Sequence, residues 1–118
     1  MLINDYLQTD RNSEALALAR RYGDDIGVET RFGAVLALYR LGDLPGAAQT
    51  LADALEAFPE VVRYLTLKRI RKPEMREGFF RPGGEDQAWL YREAMRETWA
   101  QTEGALEWLK KTAKQQKR

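Results

Sequence analysis

The chain contains no cysteine and no histidine. The first absence excludes disulfides and thiol nucleophiles. Together they remove the usual zinc and copper ligand sets and the commonest general base. No catalytic residue, metal site or cofactor is therefore expected. Long apolar runs are missing as well. Arg, Asp or Gly interrupts each one, and no segment suffices to span a bilayer. The N-terminus lacks the basic start and apolar stretch of a signal peptide. A dominant charge sign is also lacking, since 19 bases meet 18 acids for a net charge of +1. The molecule as a whole gives no electrostatic reason to seek nucleic acid. These absences lead to the expectation of a soluble cytoplasmic protein that is not an enzyme.

What is present points to helices. The 118 residues, 44% of them apolar, suffice for one folded domain with a core. The halves differ in charge: residues 1–58 hold nine acids and five bases, residues 59–118 nine acids and fourteen bases. Leu2, Ile3, Tyr6 and Leu7 share one face of a short first helix over residues 2–8. Asp10 and Asn12 make a turn, because both tolerate left-handed or capping geometry. A second helix runs from about Ser13 to Tyr22, with Ala15, Leu16, Ala19 and Tyr22 inward. Gly23 in Tyr22-Gly23-Asp24-Asp25 stops it.

Residues 28–59 read as one complete helix–turn–helix unit. Phe32, Val35, Leu36, Leu38 and Tyr39 give its first helix an apolar surface wider than a stripe, so that helix is contacted on several sides. Gly42 stops it, Asp43 caps the next, and Pro45 falls in the first turn, where its missing N–H costs nothing. Ala47, Ala48, Leu51, Ala54, Leu55 and Phe58 form the inner side, and Pro59 closes the unit. Ala15 stands 32 residues before Ala47, which makes residues 1–26 a partial earlier repeat. Small side chains at such positions let two helices approach closely.

Another helix is expected from Glu60 to about Arg69. A loop with two prolines and three glycines follows, from Arg71 to Gly84, although Glu74 to Glu77 would suit a helical turn. Segment 60–84 is thus a helix plus a basic loop. A long helix then runs from Glu85 to about Gln101, with Ala88, Tyr91, Ala94, Met95 and Trp99 inward. Thr102 is expected to cap a last helix with Ala105, Leu106, Leu109 and Ala113 inward, completing a C-terminal pair over 85–113. The basic tail from Lys110 onward is expected to fray.

These residues carry a resemblance. Ala34, Val35 and Leu38, the turn Gly42-Asp43-Leu44, Ala47, Ala54 and Pro59 resemble a tetratricopeptide repeat (TPR). Arg31 stands where that pattern usually has a bulky residue. From residue 59 to 109, the sequence resembles the C-terminal region of the suppressor-of-tumorigenicity family and its bacterial tetratricopeptide relatives. The likeness lies in Pro59-Glu60-Val61, Tyr64-Leu65, Gly84-Glu85-Asp86, Ala88, Tyr91, Trp99 and Gly104-Ala105-Leu106-x-Trp108-Leu109. A second proline common near Val62 in those proteins is absent. The resemblances imply an all-helical interaction scaffold without catalytic residues, and they carry no ligand-binding residue over.

The expected fold is all-α: about seven helices in a short right-handed TPR-like array of antiparallel hairpins, closed by the C-terminal pair. The first helix of the complete repeat offers a groove of Phe32, Leu36, Tyr39 and Arg40 to a protein or peptide. The competing reading is that its apolar members pack on the adjacent hairpin. A basic segment, Arg63, Lys68, Arg69, Arg71, Lys72, Arg76 and Arg81 with Phe79 and Phe80 among them, suits an acidic peptide, a phosphate or RNA. Its competing reading is a solvated face. Trp99 is expected in the core, Trp108 against a neighbouring helix, and Trp89 exposed. The apolar N-terminal helix, with Leu2, Ile3, Tyr6 and Leu7, is expected to pack on a second copy or on further repeats. The leading function is protein–protein interaction. The second is a nucleic-acid or phosphate-binding module using residues 63–81.

Overall fold

Left-handed backbone at three turns sets where the helices stop. Gly42 has φ 86°, Gly104 has φ 75°, and Asp10 adopts φ 60° with its carboxylate accepting from Asn12 Nδ2 at 3.1 Å. Glycine takes this conformation without a Cβ penalty, and aspartate is among the few other residues that tolerate it. The computed structural model describes residues 2–21, 27–74 and 84–116. The expected stop at Tyr22-Gly23-Asp24-Asp25, most of the Glu74–Glu77 turn, and Arg76, Phe79, Phe80 and Arg81 lie outside them.

Seven helices form among the described residues: α1 (Leu2–Gln8), α2 (Asn12–Arg21), α3 (Val28–Arg40), α4 (Leu44–Ala57), α5 (Val61–Thr66), α6 (Glu85–Gln101) and α7 (Ala105–Gln116). No strand occurs among those residues. Asp43 caps α4 by accepting from Gly46 N at 3.0 Å, as its place before Pro45 predicts. Helix α3 is the hub. Val28, Phe32, Val35, Leu36, Ala37 and Leu38 are all buried, and α1, α2, α4 and α6 all pack on it. That breadth of contact is what its wide apolar surface requires.

Ala47 and Ala54 of α4, and Ala15 of α2, are fully buried. A methyl group at each site sets how near the helices come. Replacing Ala47 with leucine is expected to overpack the contact and cost about 2 kcal/mol. Urea unfolding checks this, and an unchanged midpoint would remove the claim that the methyl is needed. Gly33 does the same for α1: a Cβ there would lie 2.9 Å from Ile3 Cδ1 and 3.3 Å from Leu7 Cδ1.

Four expectations are corrected. The apolar face of α1 is spent inside the chain, because Ile3 and Leu7 are buried in the core, Tyr6 is half-buried, and Leu2 alone of the four is exposed. That removes the reason for a dimer through this helix. Helix α5 ends at Thr66 rather than near Arg69. Arg92 of α6 donates to the carbonyl oxygens of Tyr64, Leu67 and Lys68, fixing an end that helical periodicity alone does not mark. Helix α7 does not fray from Lys110. Ala113 is buried, and Gln116 Nε2 donates to Ala48 O at 2.7 Å. The Thr102 hydroxyl is not a cap for α7, since it donates to Thr98 O and accepts from Arg40 Nε, both at 3.0 Å.

The C-terminal helices close the molecule by wrapping rather than stacking. Helix α6 packs on α1, α3 and α5, while α7 packs on α4 and α5. The first helix therefore meets the sixth, and the described body measures 38 × 29 × 25 Å.

Candidate functional site

The side chains expected to grip a partner grip the chain itself. Phe32 and Leu36 are fully buried. The Phe32 ring lies 5.9 Å from the Tyr91 ring of α6, tilted by 46°. Tyr39 is half-buried; its ring sits 5.2 Å from that of Trp108, and its hydroxyl donates to Glu103 O at 2.9 Å. Arg40 donates from Nη1 to Leu7 O at 2.7 Å and Asn12 Oδ1 at 3.1 Å, and from Nε to Thr102 Oγ1. Burial pulls its pKa below the usual arginine value, with Asp10 at 3.7 Å opposing. It stays charged, as arginine does in proteins. The expected groove is thus occupied from within by α6 and α7, and Phe32 and Leu36 offer nothing to a partner.

The tryptophans divide accordingly. Trp99 is fully buried, and Trp108 is half-buried against Tyr39. Trp89 is half-buried against the core rather than freely exposed.

The basic segment is split. Arg63 at the start of α5 is held by Glu60 at 3.1 Å and Glu85 at 3.2 Å, and its guanidinium lies 5.1 Å from the Tyr64 ring centre. Lys68, Arg69, Arg71 and Lys72 are exposed beyond the helix end. Arg76 and Arg81 fall outside the described residues.

Between α5 and α7 lies a groove of about 480 Å³. Pro59, Val62, Thr66, Leu67 and Ala113 line it beside three cations, Arg63, Lys110 and Lys114, and one acid, Glu60, which pairs with Arg63. Leu67 is 40% exposed there, a large apolar side chain facing water beside cations. Lys110 and Lys114 are one helical turn apart, so both ammonium groups rise from the same edge of α7. Among the described residues no carboxylate lies within ion-pair distance of Lys68, Arg69, Lys110 or Lys114. The sequence reading missed the two α7 lysines by assigning them to a frayed tail. The signal was their four-residue spacing around Ala113, which marks a helix edge.

This arrangement suits binding. Among the described residues no cluster of three His, Cys, Asp or Glu side chains is placed to hold a metal ion, and no helix is long and apolar enough to cross a membrane. No family model, curated protein or solved structure matches the chain.

Proposed function

We propose that this chain is a non-enzymatic protein–protein interaction module, a TPR-like helical scaffold that offers its basic α5–α7 groove to an acidic segment of a partner protein. The observation that carries the reading is the pairing of an apolar lining, which includes exposed Leu67, with the α7 lysines that meet no described carboxylate. A segment with an apolar side chain between acids satisfies both features: the hydrocarbon covers Leu67 and the carboxylates meet Lys110 and Lys114. The TPR-like part draws support from the α3–α4 hairpin, with its left-handed Gly42 turn and its buried Ala47 and Ala54.

A polyanion reading uses the same cations but leaves the apolar lining idle. The two readings separate experimentally. A fluorescent peptide with leucine flanked by glutamates is titrated against the chain by anisotropy, beside a single-stranded RNA of equal charge. Reversing both lysines, Lys110→Glu and Lys114→Glu, is expected to weaken peptide binding roughly tenfold, as two exposed charge pairs of up to ~1 kcal/mol each allow. Melting should barely change. RNA binding as tight as the peptide's, collapsing as salt rises, would replace this proposal with the polyanion one.

A further inference from the structure

On another face, α2, α3 and α4 leave a gap. Ala19 and Ala34 are too small to fill the space where α2 and α4 both lean on α3, and a pocket of about 260 Å³ remains between them. Leu16, Ala34 and Leu38 form apolar walls, while Arg20, Thr30, Arg31, Thr50 and Asp53 contribute polar groups. Arg31 Nε is buried and meets no acceptor among the described residues. No described carboxylate lies within ion-pair distance of Arg20 or Arg31, including Asp53 in the same lining.

A buried guanidinium donor without an acceptor is destabilising, and a carboxylate is the acceptor whose planar geometry fits its fork. Among the described residues the lining holds two guanidinium groups and one carboxylate, a net charge of +1 that one monoanion neutralises. A phosphate dianion would be opposed more strongly by Asp53 and would leave the apolar walls unused. Size gives a further constraint. At about 30 Å³ of liquid volume per water, the pocket has room for roughly eight or nine non-hydrogen atoms.

We infer that this pocket binds a small aliphatic monocarboxylate. Its carboxylate is held by Arg31, with Arg20 at the rim, and its hydrocarbon part lies on Leu16, Ala34 and Leu38. The site is independent of the α5–α7 groove and does not rest on the function proposed for it. Arg31 supplies the fixed charge, because it is a half-buried residue of α3 in the pocket lining. Arg20 is exposed on α2 and adds a second positive charge to the lining.

The test is a titration of the whole chain with 4-methylpentanoate, followed by amide chemical shifts. Saturable shifts at Arg31, Ala34 and Thr50 are expected, with a Kd of about 1 mM, the affinity ordinary for a ligand of this size. The alcohol 4-methylpentan-1-ol and inorganic phosphate should each bind at least about tenfold more weakly, since each lacks one half of the recognition. Arg31→Gln should raise Kd by about tenfold or more. Asp53→Asn should lower it by removing a like charge. Ala34→Leu, which fills the space and leaves every charge in place, should abolish binding while preserving the melting curve. It keeps the proposal falsifiable if Arg31→Gln unfolds. Absence of saturable shifts up to about 20 mM, an unchanged Kd in either blocking variant, or phosphate binding equal to that of the acid would overturn the assignment.

Discussion

Replacing Trp99 with alanine is expected to cost about 4 kcal/mol and to lower the melting temperature by roughly 15 °C. Trp99 is the largest fully buried side chain in the described structure, and it sits near the C-terminal end of α6. That helix touches α1, α3 and α5, so a cavity beneath it loosens several contacts at once. The indole also donates from Nε1 to the Tyr91 hydroxyl at 3.2 Å. Tyr91 is itself buried, and burial pushes its pKa well above the usual tyrosine range, so the phenol remains neutral. Truncating Trp99 leaves that hydroxyl without its donor as well as opening the cavity. Trp99→Phe refills much of the volume but not the hydrogen bond, and should recover about half the loss. Urea unfolding with an unchanged slope checks both values. A loss below about 1.5 kcal/mol for the alanine variant would mean that α6 relaxes into the gap, and the rigid wrapping described above would then be wrong.

The elements most legible in the sequence are those whose signals are local. Gly42, Asp43 and Pro45 mark the α3–α4 turn within four residues, and the structure uses them as their chemistry dictates. The extent of α6 follows from its acidic first turn and its apolar spacing. The all-helical class follows from the same periodicities. What failed to show in the sequence are the events between distant residues. Arg92 ends α5 from 24 to 28 positions away. Gln116 anchors α7 to α4 across 68 positions. Periodicity reveals that Phe32 and Leu36 form an apolar face, yet it is silent on whether a partner or α6 covers that face. The same limit explains α1: its apolar side reads as unpartnered until Gly33 admits Ile3. At the candidate site, the described bases of the 63–72 segment were visible in sequence. The contribution of α7 was not, because the α5–α7 neighbourhood is set by tertiary packing alone.

Arg40 supplies the sharpest contrast between a residue that binds a partner and one that binds its own chain. Arg40→Met is expected to destabilise the fold by about 3 kcal/mol, a melting decrease of roughly 10 °C. Methionine keeps much of the stem volume and deletes the guanidinium, leaving four groups that accepted from it, Leu7 O, Asn12 Oδ1, Thr98 O and Thr102 Oγ1, without that donor. These lie at the end of α1, the start of α2 and the end of α6, so one planar group ties three helices together. Leu7 O is also a helix C-terminal carbonyl, where a cation is favoured. Arg40→Lys should regain less than half the loss, because one ammonium on a flexible stem cannot satisfy acceptors spread over three elements. Asp10→Asn should change stability by less than about 0.5 kcal/mol, since the Asp10 side chain is 84% exposed and its 3.7 Å pair is screened by water. A thermal melt of each variant decides the matter. If Arg40→Met melts within about 2 °C of the parent, its hydrogen bonds are dispensable to the fold, and Arg40 becomes available again as a contact for an external partner.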